Sequence, residues 1–258
     1  MLTDKRQVQG SIPLPKRETE HSTEKYLWGT FMRRERWGLS WRGWSLLVAV
    51  IILSALLLLR TVYPFLAVTH RVEARILIVE GWVPEYAIRA AAKEFTAGDY
   101  KQIFTTGGPI VGSGGYTNDY QTSANVGAGR LRAAGLPSEL VQMVPSHVMS
   151  RDRTYAAASA LHDWFRSHHI SVQGINVVTE NTHARRTRLL FQEAFGKDLA
   201  IGIIAVRNPD YDETRWWQSS EGVKDILSEA VAYVYAKFFF YPALLKSMEK
   251  AEPADLNQ

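Results

Sequence analysis

His183, Arg185 and Arg186 follow directly on an apolar run, Val177-Val178-Thr179, across the polar turn Glu180-Asn181-Thr182. A helix beginning at that turn exposes unpaired N–H groups and the positive end of its dipole. His183 and Arg186 are three residues apart and share a helical face. Together they describe a pocket for an anion, most simply a phosphate or carboxylate, with His183 as acid, base or donor. A solvated face is the alternative for Arg185, Arg186 and Arg188. Glu80 closes another apolar run, Ile76 to Val79. It is a candidate general base or hydroxyl-binding group, and a turn-capping carboxylate is the alternative. Gly81 next to it permits a tight turn or close approach to a ligand. Thr106-Gly107-Gly108 ends a third apolar run, and consecutive glycines can form an anion nest. Arg151 and Arg153 flank Asp152, with Thr154 following, where another helix should begin. Two arginines at a helix start oppose its dipole unless an anion lies there. The candidate catalytic residues are therefore His183 and Glu80. The candidate ligand-binding residues are Gly81, Thr106, Gly107, Gly108, Arg151, Arg153, Thr154, Thr179, Arg185 and Arg186.

Several chemistries are excluded. There is no cysteine, so disulfides and thiolate metal sites are ruled out. No HExxH or HxxxH spacing occurs, which argues against a zinc enzyme and assigns no metal site. No phosphate-binding loop ending in Gly-Lys-Ser/Thr is present. No dinucleotide fingerprint opens the first helix, and no GxSxG elbow exists. No cofactor is assigned.

The elements that must carry these residues alternate. Strands are expected at 75–80, 101–106, 140–144, 174–179 and 199–206. Helices are expected at 84–97, 119–134, 152–167, 182–195 and 214–240, with a Gly-rich loop at 109–115. Apolar strands alternating with helices mean a parallel sheet covered on both faces. Ligands in such folds gather outside the carboxyl ends of the strands, where the candidates cluster. Trp82 reads as packing. The acidic turn at 208–213 is a candidate to orient His183 or hold a metal, with a solvated loop as the alternative.

Ahead of this domain the chain changes character. Net charge is +4, and residues 1–42 alone hold nine Lys/Arg against five acids. The remainder is neutral, so the charge belongs to a tail and a nucleic-acid-binding domain is not indicated. Residues 1–25 read as a disordered tail. Residues 26–44 mix tryptophan and arginine as a membrane–water interface does. Residues 43–68 supply the ~20 apolar residues a bilayer requires. The excess of Lys/Arg before this span places the N-terminus in the cytoplasm and the main domain outside it. The expected organisation is a basic cytoplasmic tail at 1–42, a transmembrane helix at 43–68 and an α/β domain at 70–245. A disordered tail at 246–258 follows. The bilayer is the first expected partner. Phe238-Phe239-Phe240-Tyr241-Pro242 is a candidate second contact with it.

Thr179-Glu180-Asn181-Thr182-His183-Ala184-Arg185-Arg186 resembles the Thr-Ser-x-x-His-x-x-Arg element of the ElyC/SanA/YdcF family. Thr106-Gly107-Gly108 is similar to its Ser-Gly-Gly, and Gly135-Leu136-Pro137 to its Gly-Val-Pro. Thr154 matches a threonine of the family. Trp217, Glu221 and Glu229 resemble its C-terminal element. The likeness covers residues 74–236. It departs where Glu80-Gly81-Trp82 replaces a Gly-Gly, near Ser123, and at Ala156-Ala157 where relatives carry Glu-Asn. The resemblance implies a Rossmann-like three-layer sandwich with a mainly parallel sheet of about five strands, here preceded by one transmembrane helix. It further implies a place in bacterial envelope polysaccharide or lipid-carrier metabolism. The expected ligand is a phosphate-bearing small molecule, nucleotide-like or polyprenyl-phosphate-like, with phosphoester or pyrophosphate chemistry if the protein is an enzyme. A non-catalytic binding protein on the same fold is the alternative. A cytoplasm-facing enzyme using a nucleotide or S-adenosylmethionine is another.

Overall fold

The computed structural model describes residues 25–26, 31–33, 37–111, 117–148 and 152–241. The chain forms two compact units, Met1–Leu56 and Leu57–Gln258. In the first, β1 (Lys25–Tyr26), β2 (Phe31–Arg33) and β3 (Trp37–Leu39) make an antiparallel sheet in that order. This corrects the reading of 26–44 as interface belt alone. Tyr, Phe and Trp are strand formers as well as interface residues, and composition does not separate the two.

Helix α1 (Trp41–Leu66) follows. It is the one helix among the described residues long and apolar enough to cross a membrane. It starts two residues before the expected span, with the side chain of Ser40 accepting from Gly43 N at 3.2 Å. Its last turns belong to the second unit. Leu59, Val62, Tyr63 and Leu66 pack with Tyr211, Trp216 and Ile226. The folded domain therefore begins near residue 57 rather than at 70. The tail expected at 246–258 lies outside the described residues.

The second unit alternates strands and helices. Its elements are β4 (Ile76–Glu80), α2 (Glu85–Ala97), β5 (Gln102–Gly107), β6 (Pro109–Val111), β7 (Thr117–Thr122), α3 (Ser123–Ala133) and β8 (Val141–Pro145). Then come α4 (Arg153–Ser167), β9 (Gly174–Glu180), α5 (Ala184–Phe195), β10 (Ala200–Val206) and α6 (Ser220–Phe238). Five strands form one parallel sheet in the order β10-β9-β4-β5-β8. Helices α2 and α3 cover one face through Ala87, Ala91, Phe95 and Leu131, packed on Leu77, Val79 and Ile103. Helices α4 and α5 cover the other through Leu161, Phe165 and Phe191, packed on Ile78, Phe104 and Val177. This is the expected Rossmann-like three-layer sandwich. Its strands are apolar on both faces because both are buried.

Two boundaries differ from expectation. The helix expected at 119–134 begins at Ser123, because Thr117–Thr122 pairs antiparallel with Pro109–Val111 in a hairpin. The Thr122 side chain accepts from Asn125 N at 3.2 Å and caps the helix. The remainder of the expected glycine loop, 112–115, lies outside the described residues. The last helix begins at Ser220 rather than at 214, after a separate 3-10 turn at Trp216–Gln218.

Candidate functional site

The chain builds β4 first, adds β5 and β8 on one side, then crosses over to place β9 and β10 on the other. The order reverses between β4 and β9, and the crevice at the carboxyl ends of that pair is where ligands sit in such sheets. Glu80 ends β4 there, and the turn carrying His183 leaves β9 there. A cavity of about 380 Å³ opens at this edge. Glu80, Thr106, Gly107, Gly108, Arg153, Thr154, His183 and Arg186 line it, together with Trp82, Pro109, Ser123, Asp152, Ala157 and Glu229. A larger hollow of about 490 Å³ lies over Ala92, Lys93 and Ala134, remote from the strand ends.

His183 is the centre of the cavity wall. Its Nδ1 lies 3.0 Å from Glu229 Oε1 and 2.9 Å from Arg186 Nη2. Its Nε2 is 3.5 Å from Thr154 Oγ1 and 3.8 Å from Glu80 Oε2. A bare Nδ1 would set its lone pair against the Glu229 carboxylate, so we assign a proton to Nδ1; Arg186 Nη2, itself a donor, then makes no hydrogen bond to the ring and donates to Glu229. Nε2 is then the nitrogen turned to Thr154 and Glu80. Trp82 stands edge-on to the imidazole with centroids 4.9 Å apart, so it is cavity wall as well as packing.

Glu229 holds Arg186 in a two-point pair, Nε to Oε2 at 2.9 Å and Nη2 to Oε1 at 3.0 Å. Burial works against the Glu229 charge, but the His183 and Arg186 partners outweigh it and hold the carboxyl down at about 2. This changes the role expected for Arg186. It reaches the cavity, yet two of its nitrogens are committed to a carboxylate. Glu229 is the site residue that position along the chain did not single out. It lies far along the chain from any strand end, and only a resemblance at Trp217, Glu221 and Glu229 pointed to it. The acidic turn at 208–213 does not orient His183; Glu229 does.

Glu80 is almost fully buried, and its Oε2 accepts from the hydroxyls of Thr179 and, at 3.0 Å, Thr187. A carboxylate held this way shapes the site around His183 and is already satisfied as an acceptor. Thr179 acts through Glu80 and does not line the cavity. Gly81 does not line it either. A Cβ there would fall 2.1 Å from the Ser123 carbonyl oxygen, so this glycine serves the close passage of α3. Gly107, at φ +142°, and Gly108 do line the cavity. Arg185 leaves the site: its Nε donates to the Phe65 carbonyl and its guanidinium lies 4.0 Å over the Phe65 ring. Arg153 is exposed at the cavity edge. Arg151 lies outside the described residues.

Three helices begin at this cavity. Ser123 opens α3, Arg153 and Thr154 open α4, and His183 precedes α5; none has an acid in its first turn. Their dipoles add positive potential without a side chain. Thr106 Oγ1 is buried on the wall and has no hydrogen-bond partner. The charged side chains lining it are Glu80, Asp152 and Glu229 against Arg153 and Arg186, and His183 adds a positive charge only when both its nitrogens are protonated. The positive features facing the cavity are thus the backbone dipoles, Arg153 and the remaining donors. Among the described residues no group of three or more His, Asp or Glu is placed to hold a metal ion.

A second polar cluster lies at the end of β9. The Tyr86 hydroxyl donates to Glu180, and Asn181 donates to Tyr211. Burial raises the Glu180 pKa, the Tyr86 hydrogen bond opposes this, and Asp225 and Asp210 add to the rise. Asn181 adopts a left-handed φ of +39° and accepts from the Tyr63 hydroxyl at 2.7 Å. That residue turns the chain from β9 toward His183.

No protein-family model matches this chain, and no curated protein does either.

Proposed function

We propose that this chain is a membrane-anchored protein whose α/β domain binds a phosphate-bearing ligand at the cavity beside His183. The observation that carries the reading is the convergence of three helix N-termini on a cavity that also holds an unpartnered buried hydroxyl, Thr106 Oγ1. Helix α1 would be the anchor, with the N-terminal side cytoplasmic and the domain outside, as the distribution of Lys/Arg favours. The likeness of the His183 and Arg186 element to the ElyC/SanA/YdcF family supports an envelope role, with a nucleotide-like or polyprenyl-phosphate-like ligand. In this reading the helix ends, Gly107, Gly108 and Arg153 receive the phosphate, and Thr106 takes one of its oxygens. Arg186 offers what its Glu229 pair leaves over. If turnover occurs, water adds to phosphorus as the ester or pyrophosphate P–O bond breaks; His183, starting with protons on both nitrogens, gives the Nε2 proton to the leaving oxygen and ends neutral, and a proton of the attacking water passes to solvent. Glu229 holds the doubly protonated ring that precedes the transfer.

One observation favours the non-catalytic alternative. Glu80, whose Oε2 lies 3.8 Å from Nε2, is engaged there by two threonine hydroxyls and is poorly placed to activate water.

The test uses the full chain in detergent and inorganic pyrophosphate, followed by calorimetry. Arg153→Gln and Thr106→Val should each weaken binding about tenfold, the size of one lost hydrogen bond to a charged group. Unchanged affinity in both variants would remove the site assignment. Turnover of polyprenyl pyrophosphate by the parent, lost in His183→Ala, would separate enzyme from binding protein.

A further inference from the structure

Helix α6 has two apolar faces, and one of them is uncovered. Ile226, Ala230 and Tyr233 pack inward on Leu59, Val62, Tyr63 and Leu66 of α1, and Tyr233 meets the Phe65 ring edge-on at 5.4 Å. On another side Leu227, Val231, Val234, Tyr235 and Phe238 are all exposed, Val231 at 71% and Phe238 at 65%. Their spacings of four, three, one and three residues place them in one stripe along the helix. No charged residue interrupts the stripe between Leu227 and Phe238. Lys224 and Lys237 flank it, and the exposed Phe239 and Tyr241 extend it. A helix of an ordinary water-facing domain turns polar residues outward.

The neighbouring helix indicates what covers the stripe. From Leu59 onward α1 becomes partly buried against the domain, and Trp216 Nε1 donates to the Leu59 carbonyl at 3.0 Å. The uncovered part of α1, residues 41–58, is roughly 18 residues, or about 27 Å of helix. That falls slightly short of the ~30 Å hydrocarbon core. With α1 read as an anchor, the helix leaves the hydrocarbon near Leu59, and α6 packs on the turns that follow. Tryptophans, terminal aromatics and flanking lysines are what the headgroup region selects.

We infer that α6 lies in the membrane interface with its Leu227–Val231–Val234–Tyr235–Phe238 stripe set into the same bilayer that α1 crosses. The inference rests on reading α1 as a membrane anchor. It also deepens the functional reading, because Glu229, which holds His183, is carried by this helix. The ligand cavity is thereby tied to the lipid surface.

The chain has no cysteine, so single labels can be placed cleanly. Val231→Cys on the stripe, Lys93→Cys on the exposed side of α2 and Leu53→Cys within α1 would each carry an environment-sensitive fluorophore. The full chain is reconstituted in phosphatidylcholine–phosphatidylglycerol vesicles containing lipid with a nitroxide high on the acyl chain. At least about threefold stronger quenching at 231 than at 93, with strong quenching at 53, is the expected result for an interfacial helix. Quenching at 53 with none above the level of 93 at 231 overturns the α6 inference and leaves the anchor standing. No quenching at 53 overturns both. A label at 231 shielded from aqueous iodide yet untouched by the lipid nitroxide overturns the bilayer in favour of a second copy or another protein.

Discussion

Glu229→Gln is the sharpest perturbation of this site. The carboxylate is 17% exposed and its Arg186 partner 20%. Its folded pKa sits at about 2 against an ordinary 4.5. That gap of about two and a half pH units corresponds to about 3 kcal/mol at ~1.4 kcal/mol per unit, and removing one partner of a buried pair costs ~3–5 kcal/mol. In a domain of this size each kcal/mol moves the midpoint by about 2–4 °C. The variant should therefore melt about 6–12 °C below the parent at pH 7, followed by tryptophan fluorescence of the full chain in detergent. The pH dependence has a fixed sign. A depressed carboxyl pKa contributes stability that is fully present above 4.5 and fades as pH falls toward 2. The gap between parent and variant should hold from pH 7 to about 5 and narrow steadily below 4.5. A double variant adding Arg186→Met should lose less than the two single changes together, because neither charge is then left alone. The reasoning is refuted by a gap below about 2 °C at pH 7, or by one that stays constant down to pH 3.

Three further outcomes follow from the same geometry. Gly81→Ala drives a Cβ to 2.1 Å from a backbone oxygen; a loss of about 3 kcal/mol is expected, read as a midpoint at least ~6 °C lower. Thr106→Val removes an unpartnered buried hydroxyl and should raise the midpoint by about 2–4 °C while weakening pyrophosphate binding, so both are measured on one sample. Glu180 has a raised folded pKa, so its charged form costs stability above that pKa and the cost disappears as pH falls through it. Glu180→Gln should match or exceed the parent's midpoint at pH 7.5, and the difference should vanish as the pH approaches 4.5; a large loss at pH 7.5 would contradict this.

The sheet was legible because each strand is a continuous apolar run. Ile76–Glu80 and Gly174–Glu180 were placed within a residue at each end. The hairpin of Pro109–Val111 with Thr117–Thr122 was not. One strand is only the three residues Pro109-Ile110-Val111 and the other, Thr117–Thr122, is polar, so neither has an apolar alternation to reveal it. For the site, the rule that ligands gather at strand ends located Thr106, Gly107, Gly108, Arg153, Thr154, His183 and Arg186 on one cavity. It could not foresee that Glu229, nearly fifty residues after His183, would return to hold both Arg186 and the imidazole. Nor could it separate glycines that serve a ligand from Gly81, which serves a passing backbone. Those distinctions depend on how helices pack across the sheet, which short-range spacing does not encode.

Helix α1 does not end where a linker would conventionally be cut. A soluble form begun at residue 70 would strip away Leu59, Val62 and Leu66, leaving Trp216 and Ile226 without their cover. It would also deprive Asn181 of the Tyr63 hydroxyl that steadies the turn leading into His183. Such a truncation would show a frayed cavity edge and a sticky underside. The smallest faithful excerpt of this domain therefore carries the last turns of α1 with it.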